Sequence, residues 1–79
     1  MRAYFVQIKC EPGKAYEVAN RLAELDGCSE VYSTAGAFDL LLKLYLDTDV
    51  DLGHYVNEQV HGVGNIRDTE TLVTFRAFG

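Results

Sequence analysis

The chain has 79 residues, a formal net charge of −5 and two cysteines, which bounds it to one domain, residues 1–79, whose single core is marginal unless apolar area is buried elsewhere. Two cysteines build no disulfide framework, no stretch approaches the roughly 20 apolar residues of a membrane span, and the acidic balance opposes direct binding to DNA phosphates. Self-association is the remaining way to add buried area.

The opening MRAYFVQIKC has no long apolar run and no small-residue cleavage site, so no secretory signal is expected, and Cys10 and Cys28 are expected as free thiols in a reducing cytoplasm. From Ala3 to Cys10 the even positions Tyr4, Val6, Ile8 and Cys10 are apolar or aromatic while Gln7 and Lys9 fall between them, a strand with one dry face. Glu11-Pro12-Gly13 stops it. Ala15, Val18, Ala19, Leu22 and Leu25 then recur at the steps of an amphipathic helix, with Lys14, Glu17, Asn20, Arg21 and Glu24 mostly opposite. Asp26-Gly27 is expected to end it, with Gly27 as a left-handed cap.

Residues 28–34 (CSEVYST) are short and β-prone, and the small-residue turn Ala35-Gly36-Ala37 leads into a leucine-rich strand over 39–46, so a hairpin is expected. Thr48-Asp49-Val50-Asp51 loosely matches a capping box, and Leu52, Tyr55, Val56 and Val60 supply the stripe of a second helix that Gly62 and Gly64 bracket at its exit. Ile66 to Phe78 (IRDTETLVTFRAF) is rich in Thr, Val and Phe and is expected to form one long terminal strand.

The order β-α-β-β-α-β is that of α+β, ferredoxin-like folds, a four-stranded antiparallel sheet with two helices on one face. The other face is not wholly polar, because Phe5, Leu41 and Tyr45 alternate against the core positions of their strands. An apolar patch of several hundred Å² is unusual on a monomer, so the sheet is expected to be shared with a partner.

Most motif-like stretches are better explained structurally. Gly62-Val63-Gly64-Asn65 follows a helix, whereas phosphate-cradling loops open one. His54 and His61 lie seven apart without nearby further ligands, which favours surface or capping roles over a metal. Asp49 with Asp51, and Asp68 with Glu70, fit cap residues and a solvated strand edge better than a general acid and base. No cofactor, metal or catalytic residue is therefore assigned. Asp39 remains open on its residues alone: it caps the turn's amides, or it joins the turn's N–H groups in holding the ammonium and carboxylate of a free amino acid.

Three stretches carry a resemblance to a known family: EPGKAYEVANRL (11–22), GAFDLLLK (36–43) and GVGNIRDTETLVTF (62–75). The central one fits a Gly-x-Phe/Tyr-Asp-x-Leu-Leu-Lys pattern. Together they resemble the effector-binding, or RAM, domain of the Lrp/AsnC transcriptional regulators over essentially the whole chain. The resemblance implies dimers joined through their sheets, assembled into rings of eight or ten, that bind an amino acid or related small molecule between dimers. Carried over by position, Gly36, Ala37, Phe38 and Asp39 would supply the loop side of that site, Thr69 and Thr71 the hydroxyl side, and Thr34 a further contact.

Met1 leads directly into the first strand, where family members carry a helix-turn-helix domain, so a stand-alone form is expected, acting on itself or on full-length regulators. The interval between Gly62-Val63 and Thr69-Glu70-Thr71 is slightly longer than the family's. The resemblance makes a non-enzymatic metabolite-sensing module the leading expectation. A ferredoxin-like dimeric monooxygenase, which requires a deep apolar cavity in each protomer, and a purely structural interaction module are the alternatives.

Overall fold

The computed structural model describes residues Met1–Gly79. Its elements are β1 (Arg2–Cys10), α1 (Ala15–Leu22), β2 (Cys28–Ser33), β3 (Leu40–Leu46), α2 (Leu52–Tyr55) and β4 (Ile66–Leu72), with α2 running on through a π-helical segment Val56–Val60 and a 3-10 turn His61–Val63. The four strands form one antiparallel sheet in the order β2-β3-β1-β4, the ferredoxin-like arrangement. The two longest apolar patterns, β1 and β3, lie side by side at its centre.

Alternation decides which face is dry. Tyr4, Val6, Ile8 and Cys10 of β1 are buried, as are Leu40, Leu42, Leu44 and Leu46 of β3, and the register sets Val6 opposite Leu42 and Tyr4 opposite Leu44. Val18 and Leu22 of α1 and Val56 and Val60 of the second helical segment complete the same core, so both helical segments cover one face. Full burial of an aliphatic side chain contributes about 1.5–3 kcal/mol, so these central rows hold the layers together.

Local expectations are corrected in four places. Helix α1 ends at Leu22 with Ala23 still right-handed, and Gly27 is not among the residues of positive φ. Its smallness serves a close approach instead, since a Cβ there would meet Leu46 Cδ2 at 2.6 Å and the Tyr55 hydroxyl at 2.8 Å. The second helix is capped by Asp51 and not by Thr48: Asp51 Oδ1 accepts the His54 N–H at 3.1 Å. It also changes pitch, from α to π to 3-10, before Gly64 (φ 85°) and Asn65 (φ 60°) turn the chain out of it.

The fourth correction is the terminal strand, which stops at Leu72 and not at Phe78. Beyond it Val73, Phe75 and Phe78 are exposed, Phe75 completely. A strand on the sheet edge is held where its side chains find a covered face. These three find none within the protomer.

The outer face follows from the same registers. Phe5, Leu41 and Tyr45 point away from the helices, joined by Tyr32 of β2 and Leu72 of β4. Tyr32, Tyr45 and Leu72 are between 42 and 49% exposed. Lys43, in their midst, pairs with Glu30 at 3.6 Å and lies over the Tyr45 ring.

Candidate functional site

The loop between β2 and β3 sits at the end of β1. Gly36 has a φ of 116°, a value that favours glycine, and thereby lets the chain reverse. The Thr34 hydroxyl donates to the Phe38 carbonyl at 3.0 Å, the Thr34 N–H donates to the Asp39 carbonyl at 3.0 Å, and Lys9 Nζ reaches the Ala37 carbonyl at 3.3 Å. Thr34 is thus tied to Phe38 and Asp39 across the loop, and Lys9 holds Ala37 to the end of β1.

Asp39 anchors the loop. Its N–H donates to the Ile8 carbonyl at 2.9 Å, and its Oδ2 accepts the Cys10 N–H at 2.8 Å. The carboxylate therefore continues the β3–β1 ladder past Leu40, supplying an acceptor for Cys10 that the backbone of β3 no longer offers. It caps a neighbouring strand and not the amides of its own turn, which was one of the two alternatives the sequence left open. Burial first, and the Asp39 carboxylate second, push the Cys10 thiol up, which favours its protonated form over the reactive thiolate.

Asp39 also lines an open cleft of about 200 Å³, with Lys9, Cys10, Glu11, Pro12, Gly13, Ala15 and Arg67. With Oδ2 engaged by Cys10, Oδ1 remains for whatever enters. The cleft brings together four charged side chains from β1, the β1–α1 turn, the end of the hairpin loop and β4. Arg67 and Glu11 were not singled out as binding residues from the sequence; Glu11 follows β1 directly, and Arg67 reaches the cleft only because β4 pairs with β1.

Thr69 and Thr71 lie elsewhere. They pair with Ile8 and Val6, whose side chains are in the core, and so face the helices from β4. The Thr69 hydroxyl is 3.0 Å from His61 Nε2. Because β1 separates β3 from β4, the threonines stand about 10 Å to the side of the Asp39 strand. One protomer does not bring both halves of the expected site onto one small molecule.

Two of the other acids have structural partners: Asp51 caps its helix, and Asp68 accepts its neighbour's N–H at 2.9 Å while lying opposite Lys9. The space between sheet and helices is filled by twelve buried side chains. The other cleft, bounded by Gly13, Ala15 and Tyr16, is also at the surface. No deep apolar cavity of the kind an oxygenase requires is formed within the protomer.

The model of the Lrp/AsnC ligand binding domain family matches residues 3–78. An uncharacterized HTH-type transcriptional regulator of Pyrococcus furiosus is 32% identical over 74 residues, 90% of this chain and 49% of that protein. The HTH-type transcriptional regulator Ptr1 of Methanocaldococcus jannaschii is 29% identical over 68 residues, 86% of this chain and 46% of that one. The chain spans about half the length of the curated relatives it matches. Among solved structures, TTHA0845 from Thermus thermophilus is 30% identical with a TM-score of 0.89, covering 100% of this chain and 99% of that one. AsnC of E. coli shares the fold, at 22% identity and a TM-score of 0.86 over 95% of this chain and 51% of that one.

Proposed function

Because the chain belongs to the family of Lrp/AsnC ligand binding domains, which are parts of transcription regulators, we propose that it is a non-enzymatic, oligomeric sensor of an amino acid or closely related metabolite. The ligand occupies the cleft beside the hairpin loop. Asp39 receives its ammonium, and Thr34, Gly36, Ala37 and Phe38 fix the loop that presents that carboxylate. The observation that carries this reading is that Asp39 lines a cleft while one of its carboxylate oxygens is committed to the Cys10 N–H. A half-buried acid held in place by one hydrogen bond is a preorganised acceptor for a cation.

Thr69 and Thr71 then act from a neighbouring protomer, closing the open side. Dimers form through the apolar outer sheet face and associate further, to rings of eight or ten, where the loop of one dimer meets β4 of the next. A ligand bound only in the assembled state stabilises assembly by mass action, which converts metabolite concentration into oligomeric state. In the cytoplasm the same surfaces also allow association with full-length Lrp/AsnC regulators, through which the chain influences transcription without contacting DNA.

The test is a thermal-shift screen of the protein against the twenty amino acids. At least one of them raises the melting temperature of the wild type and raises it less in Asp39→Asn. A flat response across all twenty contradicts the sensor and favours a structural interaction module.

A further inference from the structure

Arg67 occupies a position that no ladder pairing explains. Cys10 pairs with Ile66 and Lys9 with Asp68, so Arg67 is the extra residue of a β-bulge, opposite no residue of β1. A bulge breaks the regular alternation and re-aims a side chain. This one brings the side chain of Arg67 to the wall of the Asp39 cleft. Its ion pair with Glu11 is long, 3.9 Å, with both side chains at least half exposed. Such a pair holds a guanidinium only weakly, so Arg67 is free to turn to a better partner.

We propose that Arg67 is the carboxylate-binding residue of the ligand site and that the ligand is a zwitterionic α-amino acid with an apolar side chain. The proposal rests on the reading of Asp39 as the ammonium acceptor. The cleft is charge-balanced, with Lys9 and Arg67 against Glu11 and Asp39. A dianion entering it faces two carboxylates, and a simple amine faces two cations. Only a molecule carrying both charges meets a counter-charge at each end, and a guanidinium offers a carboxylate two parallel N–H donors.

The side-chain preference comes from the adjoining cleft. Gly13 and Ala15 line both clefts, and the second adds Tyr16 and no charged residue. A side chain leaving the α-carbon toward Gly13 therefore passes onto a ledge of small and aromatic surface. An ionised side chain there loses water without gaining a partner.

The experiment titrates the protein by calorimetry with the best stabiliser from the twenty amino acids and with its decarboxylated amine, in the wild type, Arg67→Gln, Arg67→Lys and Asp39→Asn. An apolar amino acid is expected to bind more tightly than aspartate, glutamate, lysine or arginine. Arg67→Gln weakens it about ten- to a hundredfold, the range for losing one charge-assisted contact, and Arg67→Lys recovers part of the loss. The amine binds weakly and equally to wild type and Arg67→Gln, which a merely structural role for Arg67 does not produce. Unchanged amino-acid affinity in Arg67→Gln, with a loss in Asp39→Asn, overturns the proposal and leaves the sensor standing. A charged amino acid as the tightest ligand overturns the ligand class, and no binding by any amino acid overturns both.

Discussion

Asp39 holds the Cys10 N–H, the proposed function gives the same carboxylate a ligand's ammonium, and two substitutions separate these tasks. Asp39→Ala leaves the Cys10 N–H without its acceptor, and a part-buried donor left unsatisfied costs about 1–3 kcal/mol of folding stability. Asp39→Asn keeps a side-chain oxygen for Cys10 but removes the charge, so it is expected to lose far less stability by chemical denaturation while still weakening amino-acid binding. Equal stability losses in the two variants would mean that the charge, and not the hydrogen bond, holds the loop. A second prediction concerns pH. Burial first, then Asp39 for Cys10 and Glu30 for Cys28, raises both thiols, and burial also raises Tyr55. An acid whose folded pKa is raised binds its proton more tightly when folded. Its contribution is therefore complete below the unfolded thiol value of about 8.5 and is lost as pH rises through the folded values. Denaturation midpoints under reducing conditions should fall between pH 8 and 10, and fall less in Cys10→Ala; a midpoint that rises over that window contradicts the assignment.

At the scale of elements, regular patterns were readable and compensations were not. Tyr4, Val6, Ile8 and Cys10 of β1 and the even positions of β3 are all buried, as their alternation required, and the Leu52-Tyr55-Val56-Val60 stripe does face the core. Periodicity reports which face is dry, and it does so without reference to any partner. The change of helical pitch after Tyr55, the bulge at Arg67 and the true use of Gly27 depend on contacts between elements distant in sequence, so no local signal carried them. The turn that joins β2 to β3 was legible because its residues are consecutive. Arg67 was not, being a lone exposed arginine until β4 pairs with β1. Gly27 provides the test at this scale. Gly27→Ala forces a Cβ against the 6%-exposed Leu46 and the Tyr55 hydroxyl, and overpacking of this kind costs about 1–3 kcal/mol. A neutral Gly27→Ala would show that the hairpin and the second helix are not in the contact described.

For the molecule as a whole, the outer sheet face and the end of the chain point the same way. Phe5, Leu41, Tyr32, Tyr45 and Leu72 share one face, and the exposed Val73, Phe75 and Phe78 follow Leu72 in the chain. A chain of this size gains from covering such a surface. Tyr45→Asp, which replaces an aromatic ring of that face with a carboxylate, is expected to shift the protein toward monomer, whereas Glu58→Lys on the exposed surface of the second helical segment is not. With seven cations against twelve acids, the chain is also expected to give no gel shift on promoter or random DNA at physiological salt. The central claim is a ligand-responsive oligomer, and size-exclusion light scattering at micromolar concentration, with and without the stabilising amino acid, addresses it most directly. The prediction is a mass at least twice the 8.8 kDa of one chain that shifts to a larger assembly when the amino acid is present. A species of 8.8 kDa, unchanged by any amino acid, would contradict it.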